Sequence, residues 1–214
     1  MLREIIIMAK SFKHYNFCIA GIDNQTGEWI RLVSSNEELE GAVLVEDATY
    51  NDGVQAEVLD VVRVDVLNRV PTRAQCENYL YNSEYAWKKI GHVSFQEVLD
   101  RFGLSRCDKV FVNNNKFLNE DELDGTSLLL LKVDNPKVVV KTFPNKKSVS
   151  LIFNYNGMCY AFFSISDIPV YKRFKVAEDG TYEAFGDSCY VLFSLTGRFS
   201  EDGKYYKMAA NFFV

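Results

Sequence analysis

Apolar and β-branched residues recur in short runs through the first third of the chain, and turn-forming residues separate these runs. Short runs bounded by turn formers are typical of β-strands. The cluster Asp23-Asn-Gln-Thr-Gly27 joins two of the runs as a hairpin, and Pro71 closes the last one. The pattern predicts strands at residues 4–9, 17–22, 28–33 and 56–67.

The hydrophobic period changes in the next part of the chain. Residues 72–81 and 94–102 carry apolar side chains three and four positions apart, which is the spacing of one helix face. In the second segment Ser94 and Glu97 form a capping box, which is a signature of a helix N-terminus. The sequence therefore predicts two helices, and together they make a helical linker over residues 71–108.

Strand patterning resumes in the C-terminal half and continues to the end. Six closely spaced runs separated by turn formers favour a small closed barrel over an open sheet. The predicted fold is mainly β with a short helical segment: a first barrel at residues 1–70, the linker at 71–108 and a second barrel at 109–214. A single β-sandwich would leave a similar pattern and stays open as the alternative. The six predicted strands lie at residues 127–133, 137–143, 148–153, 158–164, 189–195 and 205–213.

Composition argues against several classes of protein and site. The five cysteines are scattered and form no Cys-x-x-Cys pair, so neither a disulfide framework nor a zinc site is indicated. The N-terminus lacks the apolar run of a signal peptide, and no later run approaches the roughly 18 residues of a membrane span, which predicts a cytoplasmic protein. With two histidines and no phosphate-binding glycine loop, the sequence predicts no catalytic residue, no metal site and no cofactor.

Charge is distributed unevenly along the chain. The net charge of −5 argues against general electrostatic coating of nucleic acid. Residues 34–62 carry eight acidic side chains and no basic one, whereas residues 132–175 carry eight basic and two acidic side chains. The sequence therefore predicts one acidic segment and one basic segment.

Several motifs resemble one known family along nearly the whole chain. The most specific lie at the N-terminus: Ile5-Ile-Ile-Met-Ala-Lys-Ser-Phe-Lys13, Cys18-Ile-Ala-Gly-Ile-Asp23 and Thr26-Gly-Glu-Trp-Ile-Arg-Leu32. Later ones follow in order: Ser127-Leu-Leu-Leu-Leu-Lys-Val-Asp-Asn135, Ser166-Asp-Ile-Pro169, Phe193-Ser-Leu195 and Tyr206-Lys-Met-Ala-Ala210. Together they resemble the dual OB-containing domain family.

This resemblance implies two oligonucleotide/oligosaccharide-binding (OB) barrels, in a protein that acts on nucleic acid as an accessory module of prokaryotic or phage conflict systems. The chain departs from the family pattern at two loops. It has Tyr15-Asn16 where the family has a pair of glycines, and Thr196-Gly-Arg-Phe199 where the family has an acidic-Pro-Phe turn. We expect any shared ligand contact to differ at these loops.

The basic segment combines aromatic and basic side chains, the two residue types with which an OB barrel holds a single strand. Aromatic rings stack on bases, and lysine and arginine follow the phosphates. The alternative is that the aromatic residues form the core and the lysines lie on an ordinary surface. The candidate nucleic-acid-binding residues here are Lys141, Phe143, Lys146, Lys147, Tyr155, Tyr171 and Arg173.

A second candidate cluster lies in the first barrel. Trp29 and Arg31 are two apart on a predicted strand and so share a face, where Arg31 could bind a phosphate and Trp29 could stack on a base. The alternative for Trp29 is a core anchor. The candidate residues here are Lys10, Ser11, Lys13, His14, Trp29 and Arg31.

Three hypotheses of function follow. The first is a non-catalytic protein that binds single-stranded nucleic acid or a nucleotide-like ligand. The second is a module whose acidic segment, residues 34–62, binds a protein partner or mimics nucleic acid. The third is an enzyme that uses Lys13, His14 and a carboxylate such as Asp23 or Glu28, and the lack of a catalytic motif makes it the weakest.

Overall fold

A computed structural model describes all residues from 1 to 214. The chain divides into two compact units, which are residues 1–72 with 76–103 and residues 73–75 with 104–214. Each unit contains a closed barrel of five strands, so the predicted fold class is confirmed. Neither of the two eight-residue α-helices has the length or the hydropathy to cross a membrane.

The first unit closes its barrel in the strand order β1-β2-β3-β5-β4, with β4 pairing back to β1. β3 and β5 run parallel, and the other pairs of the barrel are antiparallel. A further strand, β6, adds to β4 at an edge, and α1 follows it. The elements of this unit are β1 (Leu2–Lys13), β2 (Asn16–Asp23), β3 (Trp29–Val33), β4 (Asp60–Arg69), β5 (Asn78–Tyr81), β6 (Lys88–His92) and α1 (Phe95–Phe102).

β1 lies at the centre of the first core and is buried on both faces over residues 5–11. Burial on both faces explains why the strand is a continuous apolar run instead of an alternating one. It also approaches β2 closely at Gly21, where a Cβ atom would lie 2.3 Å from the Ile6 carbonyl oxygen. Only glycine fits at this close approach of two backbones.

The helical linker predicted for residues 71–108 is only partly present. The second predicted helix forms as α1, with the Ser94–Glu97 capping box in place. The first predicted helix is wrong, because residues 78–81 form β5. β5 pairs with β3 on one side and β4 on the other, so it completes the barrel. These long-range pairings outweigh the local helical spacing.

The second unit repeats the strand order. Its barrel runs β8-β9-β10-β13-β12 and closes where β12 pairs with β8, and the β10–β13 pair is parallel. The two strands predicted at 127–133 and 137–143 are one long strand with an irregularity between Asp134 and Lys137. The elements are β7 (Phe117–Leu118), β8 (Leu128–Phe143), β9 (Lys146–Tyr155), β10 (Met158–Ile165), α2 (Ile168–Lys175), β11 (Gly180–Tyr182), β12 (Ser188–Leu195) and β13 (Tyr205–Phe213).

The helix α2 was not predicted from the periodicity, although its start carries a clear signal. Asp167 caps it by accepting a hydrogen bond from the Val170 N–H at 2.8 Å, and Pro169 lies in the first turn. The same carboxylate accepts from the Phe212 N–H at 3.2 Å, which ties the helix to β13. α2 thus connects the third and fourth strands of the second barrel in a fixed position.

Aromatic side chains fill the second barrel. The Phe153 ring stacks on Tyr160 and on Phe193 with centroids 5.1 and 4.9 Å apart, and Phe163 packs edge-on against it at 5.3 Å. All four side chains are buried. These strand aromatics therefore form core, and only aromatic residues that remain exposed can meet a ligand.

Candidate nucleic-acid interface

The turn between β8 and β9 is held against the end of α2 by two contacts. The Lys147 Nζ donates to the Ala177 carbonyl oxygen. The Thr142 N–H and hydroxyl donate to the Asp179 carboxylate, at 2.9 Å to Oδ2 and 2.7 Å to Oδ1. Hydrogen bonds from Thr142 lower the pKa of Asp179 below its ordinary value, and the Lys147 and Lys141 ammonium groups lower it further. Two stretches separated by 30 residues thus meet at one end of the barrel.

Both stretches carry basic side chains, and this set is here called the basic cluster. The cluster combines the charges with aromatic rings: the Lys141 Nζ lies 5.3 Å from the Phe143 ring centroid, and the Lys175 Nζ lies 5.5 Å from that of Tyr171. Except for half-buried Lys147, its members are exposed. Basic side chains also suit the C-terminal turn of a helix. The basic cluster consists of Lys141, Lys146, Lys147, Arg173 and Lys175.

Phe162 is an exposed aromatic residue on β10 that the sequence reasoning missed. Its side chain is 52% exposed, whereas Tyr160 and Phe163 point into the core. Strict alternation from Tyr160 would place Phe162 inside, but an irregularity in the β9–β10 register between Tyr160 and Phe163 turns it outward. Its φ of 63° marks the same irregularity. The outer face of β9–β10 therefore carries a free phenyl ring.

Two predicted residues of the basic segment take other positions or roles. Tyr155 lies at the far end of β9 from the basic cluster, and its hydroxyl donates to the Cys107 carbonyl oxygen at 2.7 Å. Burial, with the neighbouring Cys107, raises the pKa of Tyr155 to about 12. Tyr171 is half-buried on α2 and packs against the core. Phe143 remains 40% exposed at the turn, as the stacking hypothesis requires.

Three predicted residues of the first barrel are buried, and the side chains of two of them are bonded within it. The Arg31 side chain is 3% exposed, its Nε donating to Glu77 at 3.0 Å and its Nη1 to the Cys18 Sγ at 3.4 Å. The Lys10 Nζ donates to the Ala56 carbonyl oxygen at 2.7 Å. Ser11 is 9% exposed. Burial of these groups stabilises the barrel and leaves no surface for a phosphate.

The β1–β2 turn remains accessible. The Lys13 Nζ donates to the Glu40 carbonyl oxygen at 2.7 Å, and the His14 Nε2 lies 3.3 Å from the Glu40 carboxylate. The hydrogen bond from His14, together with the Lys13 charge, lowers the pKa of Glu40. Tyr15, which the sequence reasoning did not select, is 98% exposed at the tip. Trp29 is half-buried on β3.

The residues of the enzyme hypothesis do not converge. His14 lies at the β1–β2 turn, while Asp23 pairs with Ile5 at the opposite end of the same hairpin. Asp23 is bonded by Arg3 and by the N–H groups of its own turn. No group of three or more His, Cys, Asp and Glu side chains is arranged to hold a metal ion.

The acidic segment forms the irregular connection between β3 and β4, and several of its charges are used inside the first unit. Asp60 is buried, and Asp47 accepts from the Tyr81 hydroxyl at 2.6 Å. Glu57 lies 3.4 Å from the Lys10 Nζ. The exposed acids without an ion pair are Glu37, Glu38, Glu46 and Asp52.

The family comparison covers this whole arrangement. The family described as the dual OB-containing domain matches residues 3–212. Searches of curated proteins and of solved structures each found no match. Two barrels with one strand order agree with that family description. The chain belongs to the dual OB-containing domain family.

Proposed function

We propose that the second barrel binds single-stranded nucleic acid along the outer face of β9–β10 and across the basic cluster. The observation that carries the proposal is the assembly of the basic cluster at the turn between the first two strands of an OB barrel. In OB folds this turn and the face of the second and third strands hold the ligand. Here those strands are β9 and β10.

The surface offers both kinds of contact that a single strand needs. Phe162 and Phe143 present rings on which bases can stack, and each such stack contributes about 1–3 kcal/mol. The basic cluster supplies cations for the phosphates. Two stacks and three phosphate contacts are enough for micromolar affinity, which is about 8 kcal/mol.

In this proposal the chain binds and does not catalyse, and it acts in the cytoplasm as an accessory module of a prokaryotic or phage system. The β1–β2 turn of the first barrel, with Lys13, His14 and exposed Tyr15, provides a smaller contact of the same kind. Its charge is partly matched by Glu40, so we assign it less of the affinity.

The proposal is tested by fluorescence anisotropy with labelled single-stranded DNA and RNA oligomers at low and physiological salt. We expect micromolar binding that weakens as salt rises, because phosphate contacts release counterions. An absence of binding at low salt would remove the nucleic-acid proposal.

The exposed, unpaired acids of residues 34–62 favour a second candidate, a surface for a basic protein partner. Replacing Glu37, Glu38 and Glu46 by lysine would abolish partner capture in a pull-down while leaving strand binding intact. Loss of strand binding in that variant would instead count against separate surfaces.

A further inference from the structure

An open pocket in the first unit lies apart from the β1–β2 turn and is built from other residues than the candidate interface. Its volume is about 350 Å³, which is the size range of small-molecule sites. Its lining comes from two stretches of the chain: Tyr50, Asn51 and Asp52 in the β3–β4 connection, and Trp87, Lys88 and Lys89 at the start of β6. Neither stretch belongs to the strands or turns that OB folds present to a single strand.

The pocket lining has an excess of hydrogen-bond donors. Lys88 has no carboxylate partner and only packs on the Tyr85 ring at 5.6 Å. The only carboxylate of the lining, Asp52, already accepts from the Val54 N–H at 3.0 Å.

A buried carboxylate fixes two of the lining residues from behind. Asp60 is 1% exposed, and its Oδ2 accepts from the Tyr50 hydroxyl at 2.9 Å. Its Oδ1 lies 2.5 Å from the Lys89 Nζ and 3.0 Å from the His92 Nδ1. An ammonium group has three donors, so Lys89 keeps donors for a ligand while its position is set.

We infer that this pocket binds a phosphate monoester that carries an organic group of about nucleoside size. The ammonium groups of Lys88 and Lys89 and the side-chain amide of Asn51 offer donors to an oxyanion, and the two lysines suit its charge. The volume exceeds that of phosphate alone, so the remainder of the ligand occupies the space beside Tyr50. This site is independent of the interface proposed for the second barrel.

Tryptophan fluorescence gives a direct test, because the chain has two tryptophans and only Trp87 lines the pocket. In a Trp29→Phe background, adenosine 5′-monophosphate should change Trp87 emission saturably, and sodium chloride at matched ionic strength should not. Lys88→Ala should weaken this binding about tenfold, the loss of one charge-assisted hydrogen bond. Lys109→Ala removes an equal charge from an exposed position in the second unit, outside the basic cluster, and should leave the nucleotide affinity unchanged. Unchanged emission up to about 10 mM nucleotide, or wild-type affinity in Lys88→Ala, would overturn the inference.

A competition experiment distinguishes between a free nucleotide and the phosphorylated end of a strand as the ligand of this pocket. Displacement of the nucleotide by a 5′-phosphorylated oligomer, and not by its unphosphorylated copy, assigns the pocket to strand ends. Displacement by neither assigns it to a free mononucleotide. Equal displacement by both would contradict phosphate recognition. Because Lys88→Ala should retain strand binding by anisotropy, this site and the interface on the second barrel can fail separately.

Discussion

Phe162 and Arg31 lie on opposite sides of the surface from what strand alternation and residue type predict: Phe162 is exposed and Arg31 is buried. Phe162 turns outward because the β9–β10 register shifts beside it, and nothing in its neighbours' apolarity signals that shift. Arg31 turns inward because Glu77, 46 positions away, supplies a buried carboxylate. Both placements depend on partners that are distant in sequence or on local backbone irregularity. Neither placement can be predicted from the two-residue alternation of side chains along a strand.

Substitutions at Phe162 test whether an aromatic ring is needed there. Phe162→Ala and Phe162→Leu should each weaken single-strand binding by about 1–3 kcal/mol, whereas Phe162→Tyr should bind as wild type. The protein's stability should hardly change, since the side chain is half exposed. Anisotropy titrations of the three variants with a labelled single strand measure these affinities. Full affinity in the leucine variant would show that the ring does not stack on a base.

Asp60 should stabilise the first unit strongly at neutral pH. Asp60→Asn should lower the free energy of unfolding by about 2–4 kcal/mol, because it leaves Lys89 without its buried partner. Burial opposes ionisation of Asp60, but hydrogen bonds from Lys89 and His92 hold its pKa below the ordinary 3.8. The ionised carboxylate therefore stabilises the fold above about pH 4, and this contribution is lost as pH falls through the lowered pKa.

Urea unfolding followed by tryptophan fluorescence measures this effect, because Trp29 and Trp87 both lie in the first unit. The difference in the free energy of unfolding between wild type and Asp60→Asn should become smaller as pH falls from 7 to 3. The exposed Asp52→Asn is the control and should match wild type. A difference in unfolding free energy that does not change with pH would contradict the role assigned to the ionised carboxylate.

Among the elements, those that alternate or carry caps could be predicted, and those that depend on tertiary pairing could not. The strands of residues 4–9 and 17–22 and the capped helix α1 were recognisable from composition and spacing. β5 has four residues and exists because β3 and β4 flank it. α2 is only eight residues long, so its cap at Asp167 was a stronger signal than its periodicity.

The cap of α2 is expected to position the basic side chains of that helix. Asp167→Ala leaves the Val170 and Phe212 N–H groups without an acceptor and should destabilise the helix by about 1–2 kcal/mol. Asp167→Asn keeps one acceptor oxygen, enough for the Val170 N–H but not also for that of Phe212, and should retain part of that stability. Hydrogen exchange of residues 168–175 measures the difference. Equal protection in the two variants would show that the cap does not hold the helix.

For the whole molecule, the two units share one barrel topology and differ in surface charge. The net charge is −5, yet the second barrel carries the basic cluster and the first carries the exposed acids of residues 34–62. Both segments and the two barrels could be predicted from the sequence. Which lysines are free could not be predicted, because that depends on contacts such as the one between Lys147 and Ala177. The central claim is that the free lysines of the basic cluster bind phosphates.

The most direct measurement of this claim is the salt dependence of single-strand binding, compared between two triple variants. The first replaces the exposed members Lys141, Lys146 and Lys175 of the basic cluster by alanine. The second removes the same charge elsewhere in the unit, by replacing the exposed Arg106, Lys109 and Lys116. With about 0.7 counterions released per phosphate contact, the first variant should lower the slope of log affinity against log salt by about two. The second should leave the slope near wild type. An equal change of this slope in both variants would contradict a localised interface, because it would show that only the total charge of the protein matters.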